Sequence, residues 1–289
     1  MTNRIRRGLL VVARLIAVVL IGGATYQGVA TALERRDFPA PGNRIDVGGH
    51  QLHLYCTGEG TPAVILEAPA TGMSVAWGWV QPEVAMHTRV CSYDRAGLGW
   101  SEAGDRPYDP QNVPVELHAL LAGARVPGPY VLVGQSLGAA FVRLYATRYP
   151  DEVRAVVALD DVMPGGVQSP ADLQAFVRLM RYSPWLARTG VLRATRLLSR
   201  RAEGLPEPSR GAVRAFLNRP DHLTRAGREL ARWDETVELT SRTVLPEEID
   251  VVAMSTENHE AGALLTDAGV ATRVTTAIAR VVEKIRAVN

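Results

Sequence analysis

Apolar runs and helix-periodic segments alternate along most of this chain. Continuous stretches of apolar, β-branched or aromatic residues predict buried strands, and they lie at residues 63–67, 89–94, 130–133 and 153–159. Apolar residues recur at helical spacing over residues 112–124 and again over 139–145. Strands that alternate with helices favour parallel pairing, so the pattern predicts an α/β fold with a mostly parallel central sheet and helices on both faces.

The segments on either side of this pattern complete the predicted domain. An approximate alternation over residues 44–56, interrupted by two glycines, predicts a hairpin at the start of the sheet. Residues 167–239 form arginine-rich helical segments broken by prolines, which predicts a helical cap inserted between two strands. A strand at 249–255 and a long helix at 270–286 follow, so we expect one domain over residues 43–289.

The N-terminal segment has a different character. Three arginines within the first seven residues precede an apolar run, residues 8–24, that only Arg14 interrupts. A basic stretch followed by such a run is typical of a signal sequence, and its length also suffices to cross ~30 Å of hydrocarbon. We therefore predict a transmembrane or signal helix over residues 1–32, followed by a linker at 33–42.

Two fates are open to this helix. An A-x-A sequence at residues 30–32 would allow cleavage after Ala32 and secretion of the domain. The apolar run is long for a cleaved signal, so we favour a membrane anchor. More arginines precede the run than follow it, which predicts that the domain lies outside the cytoplasm.

Composition excludes several classes of function. The 289 residues carry a net charge of +2, with 47% hydrophobic and 21% charged residues. This balance is typical neither of a disordered chain nor of a nucleic-acid-binding protein, so we expect no nucleic-acid partner. No spacing of residues indicates a metal or an organic cofactor, and we expect none.

One motif suggests chemistry. Residues 134–138 read G-Q-S-L-G and satisfy G-x-S-x-G, between a predicted strand and a predicted helix. In that context Ser136 is expected on a strained turn, with its hydroxyl at the N-terminus of the helix. The unpaired N–H groups at this end of a helix favour developing negative charge. The glycines on either side leave room for strand and helix to approach closely.

Together with this motif, two other segments resemble the α/β-hydrolase fold superfamily. Residues 93–101, Y-D-R-A-G-L-G-W-S, look like a D-x-x-G-x-G-x-S segment of its esterase-like and haloperoxidase-like members, and residues 149–153 read Y-P-D-E-V. The resemblance implies the α/β-hydrolase fold with a cap insertion. It also implies a serine, acid and histidine triad in that chain order. Asp94 and Arg95 are expected to stabilise the turn after their strand.

The resemblance assigns the triad residue by residue. Serine needs a histidine to take its proton and a carboxylate to hold the imidazole. Only His222 and His259 follow Ser136 in the chain. His259 follows the last predicted strand, as in the family, whereas His222 lies in the predicted cap, where a helix end or a solvated face is expected. For the acid we select Asp160, at the end of the strand after the nucleophile helix. Other carboxylates remain open, namely Asp161, Asp234 and Glu257.

The family also uses two backbone N–H groups as an oxyanion hole. One is expected at Leu137, directly after the nucleophile. The other is expected in the loop after Glu67, where Pro69 has no N–H to donate, so we select Ala70. In the family's sheet the second strand lies beside the fourth, which makes Cys56 and Cys91 neighbours and implies a disulfide if the domain is exported.

These residues favour a serine hydrolase, with a small or medium apolar ester as substrate and an acyl-enzyme intermediate. Three other reactions use the same triad and stay open: acyl transfer, C–C hydrolysis and perhydrolysis. Epoxide and haloalkane hydrolysis are disfavoured, since those relatives carry Asp at the position of Ser136. A different class also stays open, a non-catalytic hydrolase-like module held at the membrane as a binding partner.

Overall fold

The computed structural model describes residues 2–161, 170–255 and 266–288 of the chain. Within them, seven strands form one sheet in the order β1-β2-β4-β3-β5-β6-β7. Strands β1, β2 and β4 pair antiparallel, and the pairs from β4 through β3, β5 and β6 to β7 are parallel. The strands are β1 Asn43–Asp46, β2 Gln51–Thr57, β3 Ala63–Glu67, β4 Val90–Tyr93, β5 Tyr130–Gln135, β6 Val153–Leu159 and β7 Asp250–Met254.

Helices cover both faces of this sheet, which confirms the predicted fold class. They are α1 Thr2–Asp37, α2 Val80–Ala85, α3 Asn112–Gly123, α4 Leu137–Arg148, α5 Pro170–Arg188, α6 Val191–Thr195, α7 Ser209–Phe216, α8 Pro220–Ala231, α9 Trp233–Ser241 and α10 Ala268–Val288. Short 3-10 turns occur at Ser74–Trp77, Pro150–Glu152 and Ser199–Ala202. Helices α5 to α9 lie between β6 and β7, and we call them the cap.

Two apolar layers explain why the central strands are apolar throughout. In β3, Val64 and Leu66 face the layer beneath α2 and α10, whereas Ala63 and Ile65 face the layer beneath α3 and α4. All five residues of β3 are buried. Burying one valine or leucine side chain contributes about 1.5–3 kcal/mol. A strand covered on both faces therefore needs apolar residues at every position, as parallel sheets of this kind have.

The predicted cross-strand disulfide is present. Cys56 and Cys91 lie directly opposite each other in the antiparallel pair of β2 and β4, and their sulfurs are bonded. The pairing follows from the neighbouring positions of these two strands in the sheet, as the resemblance implied.

Helix α1 is longer than the predicted 32 residues. It continues through Asp37, so the first half of the predicted linker at 33–42 is helical. Contacts with the cap stabilise these last turns: Glu34 forms an ion pair with Arg193, and Gln27 donates a hydrogen bond to the carbonyl of Asn218 at 2.7 Å. The helical segment Ile5–Asp37 is long and apolar enough to cross a membrane, with a mean hydropathy of 2.2 in its most apolar window.

Candidate active site

Ser136 lies at the turn that joins β5 to α4. Its φ of 53° and ψ of −122° fall in a region that non-glycine residues rarely adopt, at a cost of about 1–3 kcal/mol. Two backbone hydrogen bonds hold this conformation: the Ser136 N–H donates to Leu159 at 2.8 Å, and the Ser136 carbonyl accepts from Ala139 at 2.9 Å. Within residues 131–142 only Ser136 is not buried. The turn therefore presents one hydroxyl at the surface of an otherwise buried segment.

The glycines beside Ser136 are required by close backbone contacts. A Cβ on Gly134 would lie 2.3 Å from the carbonyl oxygen of Gly138. A Cβ on Gly138 would lie 2.6 Å from the carbonyl oxygen of Glu67 and 2.7 Å from that of Ala68. Helix α4 therefore packs backbone to backbone against both its own strand and the end of β3, which brings the N-terminus of α4 to the loop after β3.

The two predicted oxyanion donors lie on these neighbouring segments. Leu137 is the first residue of α4, and Ala70 follows the end of β3 by three residues. Both side chains belong to one apolar cluster that also includes Leu98 and Phe141. The cap covers this cluster with further apolar side chains: Met180, Ala187, Leu192, Leu198, Leu217, Leu223, Ala226, Leu230 and Trp233. The apolar side of the cap therefore faces the nucleophile end of the sheet.

Asp160 lies beside Ser136 at the end of the adjacent strand. Gln135 pairs with Leu159 in the sheet register, and the Gln135 amide donates to the Asp160 carboxylate at 3.2 Å. The backbone of Asp160 is left-handed, with φ of 46°, and its N–H donates to Met254 at the end of β7 at 2.8 Å. The ends of β5, β6 and β7 therefore meet at one edge of the sheet.

The other sequence candidates have different positions. Asp161 forms an ion pair with Arg143 at 2.9 Å, and Asp234 is exposed in the first turn of α9. His259 and Glu257 lie outside the described residues. Among the described residues, no three His, Cys, Asp or Glu side chains form a group suited to a metal ion.

His222 lies in the first turn of α8, which agrees with the predicted helix end, but the predicted solvated face is wrong. Its side chain is 2% exposed, and both ring nitrogens are engaged by backbone groups. Nε2 donates to the carbonyl of Thr71 at 3.1 Å, and Nδ1 accepts the N–H of Gly99 at 3.1 Å. Burial lowers the pKa of His222, so the neutral ring that fits these two bonds is favoured. The reason for the error is that the cap folds back onto the sheet.

Sequence reasoning also missed a buried charged network. Arg95 was expected only to stabilise a turn, yet all five of its N–H groups are hydrogen-bonded and its side chain is 1% exposed. It binds the carboxylate of Glu67 and forms a bidentate pair with Glu229 of α8, at 2.9 Å for each bond. The sequence does carry a signal for this network, because Glu67 and Arg95 are charged residues at the ends of apolar strands, and buried charges need partners.

This network holds the loop that carries Ala70. Arg95 donates to the carbonyls of Ala68 at 2.7 Å and Pro69 at 3.0 Å. His222 holds the carbonyl of Thr71. Helix α8 therefore holds the loop on both sides of Ala70. After Ala70 it does so directly through His222, and before Ala70 it does so through Glu229, which binds Arg95.

The two glutamates on Arg95 differ in their protonation. Burial raises the pKa of Glu67 to about 7, although the positive charge of Arg95 opposes this rise. For Glu229, burial also favours the neutral form, but Arg95 and Arg225 outweigh it and hold the pKa of Glu229 below its usual value. One arginine thus lies between a carboxyl group that titrates near neutrality and one that stays ionised.

Asp94 has the structural role that the sequence predicted. Its buried carboxylate accepts the N–H groups of Ser74 at 2.6 Å and Trp100 at 2.9 Å, and it contacts Nδ1 of His53 at 2.9 Å. Burial would lower the pKa of His53, but the hydrogen bond and charge of Asp94 outweigh it and raise that pKa. This pair stabilises the loop after β4.

The chain resembles hydrolases of known sequence over part of its length. A 2-hydroxy-6-oxo-2,4-heptadienoate hydrolase from Pseudomonas putida is 31% identical over 127 residues, which cover 42% of this chain and 45% of the relative. An uncharacterised protein of Schizosaccharomyces pombe is 36% identical over 116 residues, or 39% of this chain and 21% of that protein. The chain spans less than half the length of these curated relatives.

Solved structures extend the likeness to most of the fold. The epoxide hydrolase CorEH superimposes with a TM-score of 0.67 at 16% identity and covers 84% of this chain and 98% of its own. The enol-lactonase from Burkholderia xenovorans LB400 gives a TM-score of 0.60 at 16% identity, over 83% of this chain and 99% of its own. At such identities the likeness concerns the fold alone. Residues 63–284 match the model of the alpha/beta hydrolase family, and this match spans well over half of the sequence, so the chain belongs to that family.

Proposed function

We propose that the protein is a serine hydrolase that cleaves a small or medium apolar carboxylic ester. The observation that carries this proposal is the strained turn at Ser136, which presents a hydroxyl at the N-terminus of α4. A strained backbone persists only where the surrounding structure maintains it, and such residues cluster at active sites. The apolar cluster between the cap and α4 supports an apolar substrate.

In the proposed reaction, the Ser136 hydroxyl attacks the ester carbonyl and its proton passes to His259. The N–H groups of Leu137 and Ala70 stabilise the oxyanion, and removing one such donor typically costs about 10²–10³-fold in rate. His259 returns the proton to the leaving alcohol, which leaves the acyl group on Ser136, and water then releases the acid. Asp160 holds the imidazole in its productive orientation.

A second reaction is favoured by the named relatives. One of them is the 2-hydroxy-6-oxo-2,4-heptadienoate hydrolase, and a 2-hydroxymuconate semialdehyde hydrolase from a Pseudomonas species is likewise 31% identical to part of this chain. Neither compound contains an ester, so the corresponding reaction here is hydrolysis of a C–C bond beside a carbonyl. The same triad serves both reactions, and the choice between them is made by assaying both substrate classes.

The test is activity of the full chain in detergent micelles on short-chain nitrophenyl esters, with a fluorophosphonate probe for the nucleophile. We expect Ser136→Ala to abolish labelling and to lower turnover by at least ~10⁴-fold. Ser241→Ala, which removes an exposed serine hydroxyl from α9, is the matched control and should change neither. If the wild-type protein is neither labelled nor active on either substrate class, the non-catalytic reading replaces this proposal.

The acid is tested by a pair of adjacent variants. Asp160→Asn should lower turnover by about 10⁴-fold, since it removes the carboxylate that orients the histidine. Asp161→Asn breaks only the ion pair with Arg143 and should leave turnover within a few-fold of wild type. The opposite ranking of these two variants would show that the acid is misassigned.

We further propose that α1 anchors the domain to a membrane, with the catalytic domain outside the cytoplasm. Cleavage after Ala32 would remove Gln27, which is 5% exposed and donates to a carbonyl of the cap. These contacts make the end of α1 part of the folded domain and favour its retention. Mass spectrometry of the protein purified from its membrane fraction tests this, because an N-terminus at residue 33 would contradict an anchor.

A further inference from the structure

The cap touches α1 at the level of the apolar run. A Cβ on Gly23 would lie 2.2 Å from the carbonyl oxygen of Thr189, at the end of α5, so the two backbones are in direct contact there. Gly190 is similarly close, since its Cβ would lie 3.0 Å from the carbonyl oxygen of Gly23. Side chains of residues 5–22, below this contact, are exposed.

The length of α1 sets the height of this contact in a membrane. The apolar run begins at Gly8, directly after Arg6 and Arg7. At 1.5 Å per residue, Gly23 lies at most about 22 Å along the axis from Gly8, whereas the hydrocarbon layer is about 30 Å thick. Any tilt lowers Gly23 further. Raising it above the layer would draw Arg6 and Arg7 into hydrocarbon, so the contact with Thr189 falls at or below the outer boundary of the hydrocarbon.

The part of the cap at this height has an exposed aromatic and basic face. We define the α5 face as Arg178, Arg181, Tyr182, Trp185 and Arg188. Their spacing of three, one, three and three residues aligns them on one side of the helix. All five are exposed, Tyr182 by 61% and Trp185 by 69%. Tyrosine and tryptophan are enriched at membrane–water interfaces, where a ring has one apolar side and one wet side.

The α5 face continues directly onto α1. The guanidinium of Arg188 lies over the Trp185 ring, 5.0 Å from its centroid. Arg188 also lines a surface groove together with Ala24 and Gly28 of α1. Trp185 and Arg188 are therefore next to the helix segment that meets the boundary of the hydrocarbon.

The charge of this part of the cap is of one sign. Residues 174–202 contain seven arginines and no aspartate or glutamate. Basic side chains beside a membrane segment are attracted to anionic lipid headgroups, and arginine can keep its stem in apolar surroundings while its charge reaches the headgroups. The guanidinium fork also matches the geometry of phosphate.

We infer that the α5 face docks into the headgroup layer of an anionic phospholipid bilayer, on the side where the C-terminal end of α1 emerges. The inference rests on α1 crossing a membrane and is independent of the proposed hydrolase chemistry. The cap, which covers the nucleophile end of the sheet, is then held at the lipid surface and not in the bulk solvent.

The experiment uses the full chain in nanodiscs of phosphatidylcholine and phosphatidylglycerol, with or without lipids brominated near the headgroup. Bromine quenches only tryptophans at its own depth. We expect the brominated discs to quench part of the emission, and Trp185→Phe to remove that quenched component. Of the other four tryptophans, Trp77, Trp100 and Trp233 are buried and provide the internal reference. The fourth, Trp79, is half-buried and is present in both proteins, so it cancels in the comparison of wild type with Trp185→Phe.

A charge reversal tests the role of the arginines. Arg178→Glu with Arg181→Glu should reduce the quenching of Trp185 in anionic discs towards its value in pure phosphatidylcholine. Arg273→Glu, an exposed arginine of α10, is the matched control and should leave the quenching unchanged. Equal emission of Trp185 in brominated and plain discs would overturn the inference. If the protein does not co-elute with the discs, α1 does not cross the bilayer, and this outcome would overturn the inference as well.

Discussion

The two glutamates that share Arg95 should respond to pH in different ways. Glu67 and Glu229 are both fully buried and both bonded to the same guanidinium. Burial raises the pKa of Glu67 to about 7, while the arginines hold the pKa of Glu229 below its usual value. Glu67→Gln keeps the shape of the side chain and removes its titration, so it isolates the effect of this one carboxyl group.

The sign and size of the effect follow from linkage. A pKa that is higher in the folded state means that the folded protein binds the proton more tightly. The stabilisation is then complete below the unfolded pKa of about 4.5 and is lost as the pH rises through about 7. For these two values, the contribution of Glu67 to the free energy of unfolding falls by about 2–3 kcal/mol between pH 5 and pH 8.

Urea unfolding of the full chain in micelles, followed by tryptophan fluorescence, measures this change. The difference in free energy of unfolding between wild type and Glu67→Gln should shift by about 2–3 kcal/mol from pH 5 to pH 8. The shift should favour the variant, because only the wild type loses the stabilisation from Glu67 as the pH rises. Other groups, including His53 and His222, titrate equally in both proteins and cancel in the difference.

Glu229→Gln tests the same network from its other side. The stabilisation from Glu229 itself is lost only as the pH falls through a folded pKa below 4.5. Its negative charge also helps to raise the pKa of Glu67, so the difference between wild type and this variant should change in the same direction as for Glu67→Gln, in addition to a loss of about 3–5 kcal/mol as for a broken buried ion pair. If the difference in free energy of unfolding between wild type and Glu67→Gln is constant with pH, or if the wild type becomes relatively more stable as the pH rises, the result would falsify the assignment of the raised pKa to Glu67.

Two other predictions concern the turn and the sheet. Gly138→Ala should destabilise the protein by about 3 kcal/mol or more and abolish ester hydrolysis, because the added Cβ would lie 2.6 Å from the carbonyl oxygen of Glu67. Gly28→Ala is the control, since its added Cβ has no atom within 4 Å, and it should be neutral in the same urea assay. Replacing Cys56 and Cys91 by serine opens a loop of 35 residues and should lower the free energy of unfolding by about 4 kcal/mol. An unchanged urea midpoint for the double serine variant, compared with oxidised wild type, would contradict the second prediction.

Much of the architecture was predictable because it depends on short-range patterns. Continuous apolar runs identified β3, β5 and β6, since a strand covered on both faces needs apolar residues throughout. The strand, turn and helix around Ser136 were predictable because the two flanking glycines serve a local close approach. The helix at residues 33–37 was not, because its contacts are with a cap distant in sequence.

In the candidate active site, too, the residues placed by local sequence were predictable and those placed by distant contacts were not. Ser136 and Leu137 are adjacent in sequence, so a five-residue motif locates both. His222 was predicted at a helix end or a solvated face; it is at a helix end, but it is buried against Thr71, 151 residues away. The residues beside a histidine in the sequence do not indicate which distant loop will cover its side chain.

By itself, the sequence determined the succession of strands and helices, the strained serine turn and the apolar N-terminal helix, because backbone preference and burial pattern are properties of neighbouring residues. Only the tertiary structure decided which buried charges are partners. Arg95 meets Glu229 across 134 residues, when α8 folds over the loop after β3. Charges of this kind lose their water only after the chain has packed, so their partners are chosen by the packing of whole elements and not by any local pattern.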